Sequence, residues 1–150
     1  MKNVAVIGED VDLLVLLIAL APPATNILFV KPGRGKVESR TYSSLELQKI
    51  DFAANILFIH EFSGCDTTSS IFRKGKLMIA KLFSRNSSLK AISNVFYKCS
   101  STRQEVTEAG ELMFLALYNA REQDLNTHRY LTFLKSTTKV KPDLPSLPPT

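Results

Sequence analysis

The stretch that decides the fold is Val4-Ala5-Val6-Ile7-Gly8-Glu9-Asp10-Val11-Asp12, which leads directly into the apolar run from Leu13 to Ala21. The apolar residues up to Ile7, with Asn3 before them, predict a central strand that is buried on both faces. The run that follows predicts a helix that is apolar nearly all round and therefore buried, ending at Pro22-Pro23. Carboxylates at the carboxyl edge of such a strand lie where α/β proteins commonly hold a ligand or a metal.

The rest of the chain divides into a strand-containing part and a helical part. Two further strands are predicted at 26–31 and 37–42, as a hairpin, and helical patterns at 45–50, 53–62, 67–83, 89–97, 105–118 and 128–135. We therefore expect an α/β fold in which a small, mainly parallel sheet with helices (1–52) precedes an all-helical part (53–135). Together they would form one domain over 1–141, followed by a proline-rich, extended tail over 142–150.

Composition fits a soluble globular protein, because 45% of the 150 residues are apolar and 22% are charged. Two cysteines, Cys65 and Cys99, give no disulfide framework and do not resemble a zinc site, so we expect a reduced, intracellular environment. Acidic residues interrupt the first apolar stretch, and the helical run after it is too short to span a bilayer. The sequence therefore predicts neither a signal peptide nor a membrane partner.

Positive charge is concentrated in one segment of the chain. The net charge is +5, and no acid interrupts the series Arg73, Lys74, Lys76, Lys81, Arg85 and Lys90. Such a series is often only a solvated helix face. Because it follows an acidic motif closely, it is also a candidate surface for a phosphate backbone.

Asp10 and Asp12 allow two interpretations. On a strand, residues two apart project from one face, and two carboxylates so close repel each other unless a cation lies between them. Oxygen ligands favour Mg²⁺ or Mn²⁺. The alternative is that these aspartates cap the helix that follows.

A second acidic segment, Gly64-Cys65-Asp66, makes the metal interpretation more specific. Asp66 lies 54 positions after Asp12, and Ile71 and Gly75 follow it. Glu9-Asp10-Val11-Asp12 and Gly64-Cys65-Asp66 resemble the E-D-x-D and G-S-D motifs of flap-endonuclease (XPG-type) nucleases, members of the PIN-like superfamily. In that family G-S-D leads into I-x-G-x-G, and here Arg73 replaces the middle glycine.

The sequence is also similar, over nearly its whole length, to a group of transposon-associated PIN-like proteins of animal genomes. Four motifs carry this resemblance in order: Gly8-Glu9-Asp10-Val11-Asp12-Leu13-Leu14-Val15-Leu16-Leu17, His60-Glu61-Phe62-Ser63-Gly64-Cys65-Asp66-Thr67-Thr68-Ser69, Arg73-Lys74-Gly75-Lys76 and Leu147-Pro148-Pro149-Thr150.

The resemblance implies a partial PIN-like fold and a phosphodiesterase site for DNA. Asp10, Asp12 and Asp66 match the family's ligands for divalent ions, Mg²⁺ or Mn²⁺, and Glu9 would tune the local field. The basic residues Arg73, Lys74, Lys76 and Lys81 match the place where relatives bind the DNA backbone. Such a protein would be intracellular, with DNA in the nucleus as its partner.

One departure from the family concerns activity. Relatives supply further acids from elements that precede the E-D-x-D segment, and this sequence begins after them. We therefore expect a fragment-like domain that is weak or inactive alone. The alternative function is a non-catalytic remnant that binds nucleic acid or protein.

Several other residues, and two other folds, are weaker candidates. His60 could be a metal ligand, but its apolar neighbours favour a structural, hydrogen-bonded histidine. Thr67, Thr68 and Ser69 could contact a phosphate, although capping of the next helix is favoured. A receiver-like domain would need its acceptor aspartate after a later strand, whereas Asp51 follows a helical pattern. A dinucleotide-binding fold would need glycines besides Gly8.

Overall fold

The computed structural model describes residues 4–138 and 143–149. Over these ranges the strands are β1 (Val4–Ile7), β2 (Ile27–Lys31) and β3 (Arg40–Ser43). The α-helices are α1 (Val11–Leu20), α2 (Ser44–Leu47), α3 (Ile56–Ser63), α4 (Lys76–Arg85), α5 (Ser87–Tyr97), α6 (Arg103–Leu117) and α7 (Leu125–Thr137), with 3₁₀ turns at Ala53–Asn55 and Leu144–Ser146. The mixed α/β class and the helical second half are confirmed.

The chain forms two compact units, Met1–Ser69 (unit 1) and Ser70–Thr150 (unit 2). Sequence patterns place the change from sheet to helices at residue 53, but the boundary between the units lies later. The reason is that α3 packs against α1 within unit 1, so this helix belongs with the sheet.

The sheet of unit 1 has the order β1-β2-β3. β1 runs parallel to β2, with Val4 opposite Ile27, and β2 and β3 form the predicted antiparallel hairpin. The backbone N–H of Gly8 donates to Val30 O at 3.1 Å, which continues the ladder past β1. A Cβ at Gly8 would lie 2.8 Å from the Leu13 side chain, so glycine permits the tight passage from β1 into α1.

Two burial predictions for unit 1 are wrong. Among the described strands β1 lies at the edge, with β2 as its neighbour, and its Ile7 is 71% exposed. Within α1 only Val15 is buried, and Leu20 is 69% exposed. The apolar residues of a strand or helix become buried only where other elements pack against them. The helix α1 packs against β2, α2 and α3 with only part of its surface.

The carboxyl end of α1 is stabilised from a distance. Ala21 already has extended backbone geometry before the two prolines, as predicted. The Gln48 side-chain amide donates to Ile18 O at 3.1 Å and to Ala21 O at 2.8 Å. These bonds satisfy carbonyls that the end of a helix leaves without intrahelical partners.

Unit 2 has a closely packed helical core. Ile79 and Phe83 of α4 are fully buried, and Leu89 of α5 and Met113 of α6 are nearly so. The helix α6 begins with a capping box in which Thr102 and Glu105 exchange hydrogen bonds. Ala109, Met113 and Leu117 of this helix are buried, whereas Leu112 is exposed.

The prediction of an extended tail is wrong over residues 143–149; residues 142 and 150 of that prediction lie outside the described residues, as does Asn3. Leu147 and Pro148 are buried. The Tyr118 hydroxyl donates to Leu147 O at 3.3 Å, and the Arg129 guanidinium donates to Pro148 O. A proline in the first turn of a 3₁₀ helix loses no hydrogen bond, which is why this proline-rich segment can turn and pack.

Candidate functional site

Asp10 and Asp12 follow β1 at the amino terminus of α1. Asp10 is the N-cap residue of this helix, and its Oδ1 accepts a hydrogen bond from the Asp12 backbone N–H at 3.0 Å. The capping interpretation of Asp10 is therefore confirmed. One carboxylate oxygen of Asp10 and the whole side chain of Asp12 are left for other interactions.

Asp12 lies beside a histidine from another helix. Its Oδ1 is 3.4 Å from Nε2 of His60, although 48 positions separate the two residues in sequence. His60 is in α3, which packs against α1, and this packing brings the pair together. The imidazole side chain is only 9% exposed, and its Nδ1 is buried without a hydrogen-bond partner. The sequence predicts a structural, hydrogen-bonded histidine; the imidazole is buried, as that interpretation requires, but its Nδ1 has no hydrogen-bond partner.

Asp66 lies in a tight turn directly after α3. Gly64 ends α3 with φ 96°, a left-handed conformation that favours glycine. Backbone hydrogen bonds of 3.2 and 3.3 Å then join Cys65 and Thr68 across the turn, and Asp66 is exposed at its tip.

The threonines of this turn stabilise it rather than the next helix. Thr68 Oγ1 accepts from the Cys65 backbone N–H at 3.1 Å and donates to Glu61 O at 2.8 Å. The prediction that residues 67–69 cap the next helix is wrong, since α4 begins at Lys76 with Gly75 as its N-cap. A turn closed by its own hydroxyl groups competes successfully with a cap.

His60 links the two acidic segments. A ring nitrogen of His60, a carboxylate oxygen of Glu61 and Sγ of Cys65 all lie within 4.8 Å of one another. His60 thus contacts Asp12 of the first acidic segment, and it lies in one cluster with Cys65, the residue before Asp66 in the second. Among the described residues, the three aspartates do not themselves form a group this compact.

The Cys65 thiol has a perturbed acidity. Hydrogen bonding with the hydroxyl groups of Thr67 and Thr68 lowers the pKa of Cys65, and the Glu61 carboxylate at 3.4 Å opposes this shift. A lower pKa raises the fraction of Cys65 that is present as thiolate at a given pH.

The predicted DNA-binding cations differ in how far their charged groups already interact with other residues of unit 2. Arg73 adopts φ 58°, a left-handed conformation that favours glycine. Its guanidinium donates to Asp143 Oδ2 at 3.0 Å and lies over the Phe72 ring. Lys74 donates to Leu117 O at 3.3 Å, and burial lowers the pKa of its ammonium. Both side chains are partly used within unit 2.

The cations along α4 face solvent. Lys81 and Arg85 are four residues apart and exposed, so they lie on one side of the helix. Across residues 4–138 and 143–149, neither takes part in an ion pair. Lys76 begins the same helix. The charge available to an anionic partner is thus greatest at Lys81 and Arg85, of which the family resemblance indicated Lys81.

The donor chemistry of the aspartates fits a magnesium-class ion. All three are carboxylates, and Mg²⁺ in proteins is often bound by one or two carboxylates while water fills its other positions. Among the described residues, however, the three aspartates do not form a compact group of ligands.

Comparisons with known proteins add no family to these observations. The chain matches no protein-family model, no curated protein and no solved structure. Within the described part of the chain, none of the helices is both long and apolar enough to span a lipid bilayer.

Sequence patterns indicated Asp12 and Asp66 as candidate ligands but not the contact between Asp12 and His60. Nor did they indicate the cluster of His60, Glu61 and Cys65. The signal for this cluster is the close sequence spacing of its members, whereas Glu61 alone resembles an exposed, solubilising helix residue.

Proposed function

We propose that the chain is a divalent-metal-dependent, nuclease-like domain that binds the phosphate backbone of DNA and has weak or no cleavage activity alone. In this proposal Asp10, Asp12 and Asp66 share one Mg²⁺ or Mn²⁺, and unit 2 supplies a cationic surface. The metal, when bound, would act as a Lewis acid toward a phosphodiester oxygen.

The observation that carries the proposal is the meeting of the two acidic segments at His60. Asp12 Oδ1 lies 3.4 Å from His60 Nε2, and His60 is within 4.8 Å of the residue that precedes Asp66. The three aspartates do not form a compact group among the described residues, which supports weak binding of the metal ion. Weak metal binding in turn supports a low rate of DNA cleavage.

The DNA-binding part of the proposal depends on α4. Lys81 and Arg85 are exposed cations on one side of this helix. Release of counterions from DNA makes such contacts sensitive to salt, with a slope of log K against log salt of about 0.9 per neutralised phosphate on duplex DNA.

Fluorescence anisotropy with a labelled duplex over a salt series tests this part. The double variant Lys81→Ala/Arg85→Ala should lower the slope by about 1.8. Arg73→Ala, a matched control whose guanidinium already pairs with Asp143, should lower it by less than half as much. Equal effects, or no effect of the double variant, would contradict the assignment of α4.

Hydrolysis of branched and single-stranded DNA with Mg²⁺ or Mn²⁺ tests the catalytic part. We expect slow cleavage that Asp12→Asn and Asp66→Asn each abolish, with DNA affinity kept.

The second candidate function is a non-catalytic binding domain, favoured by the use of Asp10 as an N-cap. Complete absence of metal-dependent cleavage, together with Mn²⁺ binding that Asp66→Ala leaves unchanged, would establish it in place of the nuclease-like function.

A further inference from the structure

A cluster of three potential ligands of different chemical classes lies at the end of α3. It comprises His60, Glu61 and Cys65, whose nitrogen, oxygen and sulfur atoms lie within 4.8 Å of one another. The chain achieves this spacing because Gly64 reverses its direction after α3, which returns Cys65 over Glu61 with Sγ 3.4 Å from Oε2.

The buried imidazole is the observation that points to a ligand. His60 Nδ1 has no hydrogen-bond partner although the side chain is only 9% exposed, and a buried polar atom left unsatisfied destabilises the folded state. Its other nitrogen, Nε2, faces the Asp12 carboxylate at 3.4 Å. Histidines that bind metals commonly use one nitrogen for the ion and direct the other toward a carboxylate, which fixes the tautomer and the ring.

We propose that His60, Glu61 and Cys65 bind one Zn²⁺ ion, with Asp12 as the positioning residue of His60. A nitrogen, an oxygen and a sulfur ligand together suit zinc and its analogue Co²⁺, whereas Mg²⁺ prefers oxygen alone. Three protein ligands leave a fourth tetrahedral position for water.

The present spacing is close to what zinc requires. Zinc–ligand bonds of about 2.0–2.3 Å place tetrahedral ligand atoms about 3.3–3.8 Å apart. Glu61 is exposed and Cys65 half-buried, so both side chains can close on an ion while the buried His60 stays in place.

Zinc would be held differently from the magnesium-class ion of the proposed function. The two sites share Asp12 but use it as an indirect partner in one and as a ligand in the other. Removal of the thiol should therefore abolish zinc binding and spare oxygen-only binding.

Cobalt titration of the full-length, tag-free, reduced chain tests the proposal. We expect one equivalent of Co²⁺ to produce a thiolate-to-cobalt charge-transfer band that Zn²⁺ removes and excess Mg²⁺ does not. Cys65→Ser should abolish the band, and Cys99→Ser, which removes the exposed cysteine of unit 2, should preserve it. Glu61→Gln should weaken Co²⁺ binding.

The contribution of Asp12 gives a second readout. Asp12→Asn should weaken Co²⁺ binding about 10–100-fold while the band remains at saturation, as expected for a residue that acts through a ligand. Circular dichroism of each variant identifies any that fail to fold. The proposal is overturned if the wild-type chain gives no band, or if a folded Cys65→Ser variant keeps it.

Discussion

The two units of the molecule differ in how many large side chains they bury completely. Both leave large apolar side chains exposed, such as Leu20 (69%) in unit 1 and Leu77 (70%) in unit 2. Among the described residues, most of the completely buried large side chains, including Ile79, Phe83 and Leu89, belong to unit 2. Unit 1 also contains the buried His60 with an unsatisfied nitrogen. Departures from optimal packing and polar satisfaction are typical of functional regions. We infer that unit 2 supplies most of the folding free energy and that unit 1 carries the metal chemistry.

Paired truncations test this difference most strongly. Leu89→Ala in α5 should lower the free energy of unfolding by about 2–5 kcal/mol, because it leaves a cavity in a closed core. Leu20→Ala in α1 should change it by no more than about 0.5 kcal/mol. Urea denaturation followed by circular dichroism measures both. A larger loss of unfolding free energy for Leu20→Ala would show that the Leu20 side chain is buried, which would contradict this difference between the units.

The next contrast concerns helix caps, one in each unit. Thr102→Ala should cost about 1 kcal/mol of unfolding free energy by removing the capping box of α6, and Asp10→Ala a similar amount at α1. Asp10→Asn should keep the cap and its stability while it removes a carboxylate from the proposed metal site. If Asp10→Asn leaves Mn²⁺ binding unchanged, Asp10 is a cap and no ligand.

These pairs also indicate how far sequence alone can reach. The helices α3 and α6 were predicted at 53–62 and 105–118, because helical patterns depend on local backbone preference and periodicity. The exposure of Ile7 depends on which strands flank β1, and the Asp12–His60 contact depends on packing of α1 on α3. Neither feature depends on residues that are close together in the sequence, so a local sequence pattern predicts neither of them.

A smaller effect is expected at the turn before α4. Arg73 has φ 58°, and a left-handed conformation costs a non-glycine residue about 1–2 kcal/mol. Arg73→Gly relieves this cost but loses an exposed ion pair with Asp143 worth about 0–1 kcal/mol. Thermal unfolding should therefore show a slight stabilisation of unit 2. Asp143→Asn, which removes the pair alone, should be neutral or slightly destabilising, and a stabilisation by it would contradict this partition.

The smallest expected effect is a loss of stability of unit 2 at acidic pH. Hydrogen bonds from Thr102, His128 and Thr127, respectively, lower the pKa of Glu105, Glu122 and Asp124 below their ordinary values of 4.5, 4.5 and 3.8. Because the folded pKa is the lower one, the stabilisation is complete above these ordinary values and is lost as pH falls through the folded pKa. Melting temperatures between pH 6 and pH 3 should fall, and less steeply in Glu105→Gln. An identical profile for this variant would exclude Glu105 as a contributor.

The central claim, that Asp12 and Asp66 share one cation, is tested most directly by NMR of the ¹⁵N-labelled full chain with Mn²⁺. Cys65→Ser is the suitable background, since it removes the sulfur ligand of the proposed zinc site. We predict that the amides of Asp12 and Asp66 broaden together at the lowest Mn²⁺ concentrations, and that Asp66→Asn weakens the broadening at Asp12. Broadening confined to one segment, or unchanged at Asp12 when Asp66 is replaced, would contradict the claim.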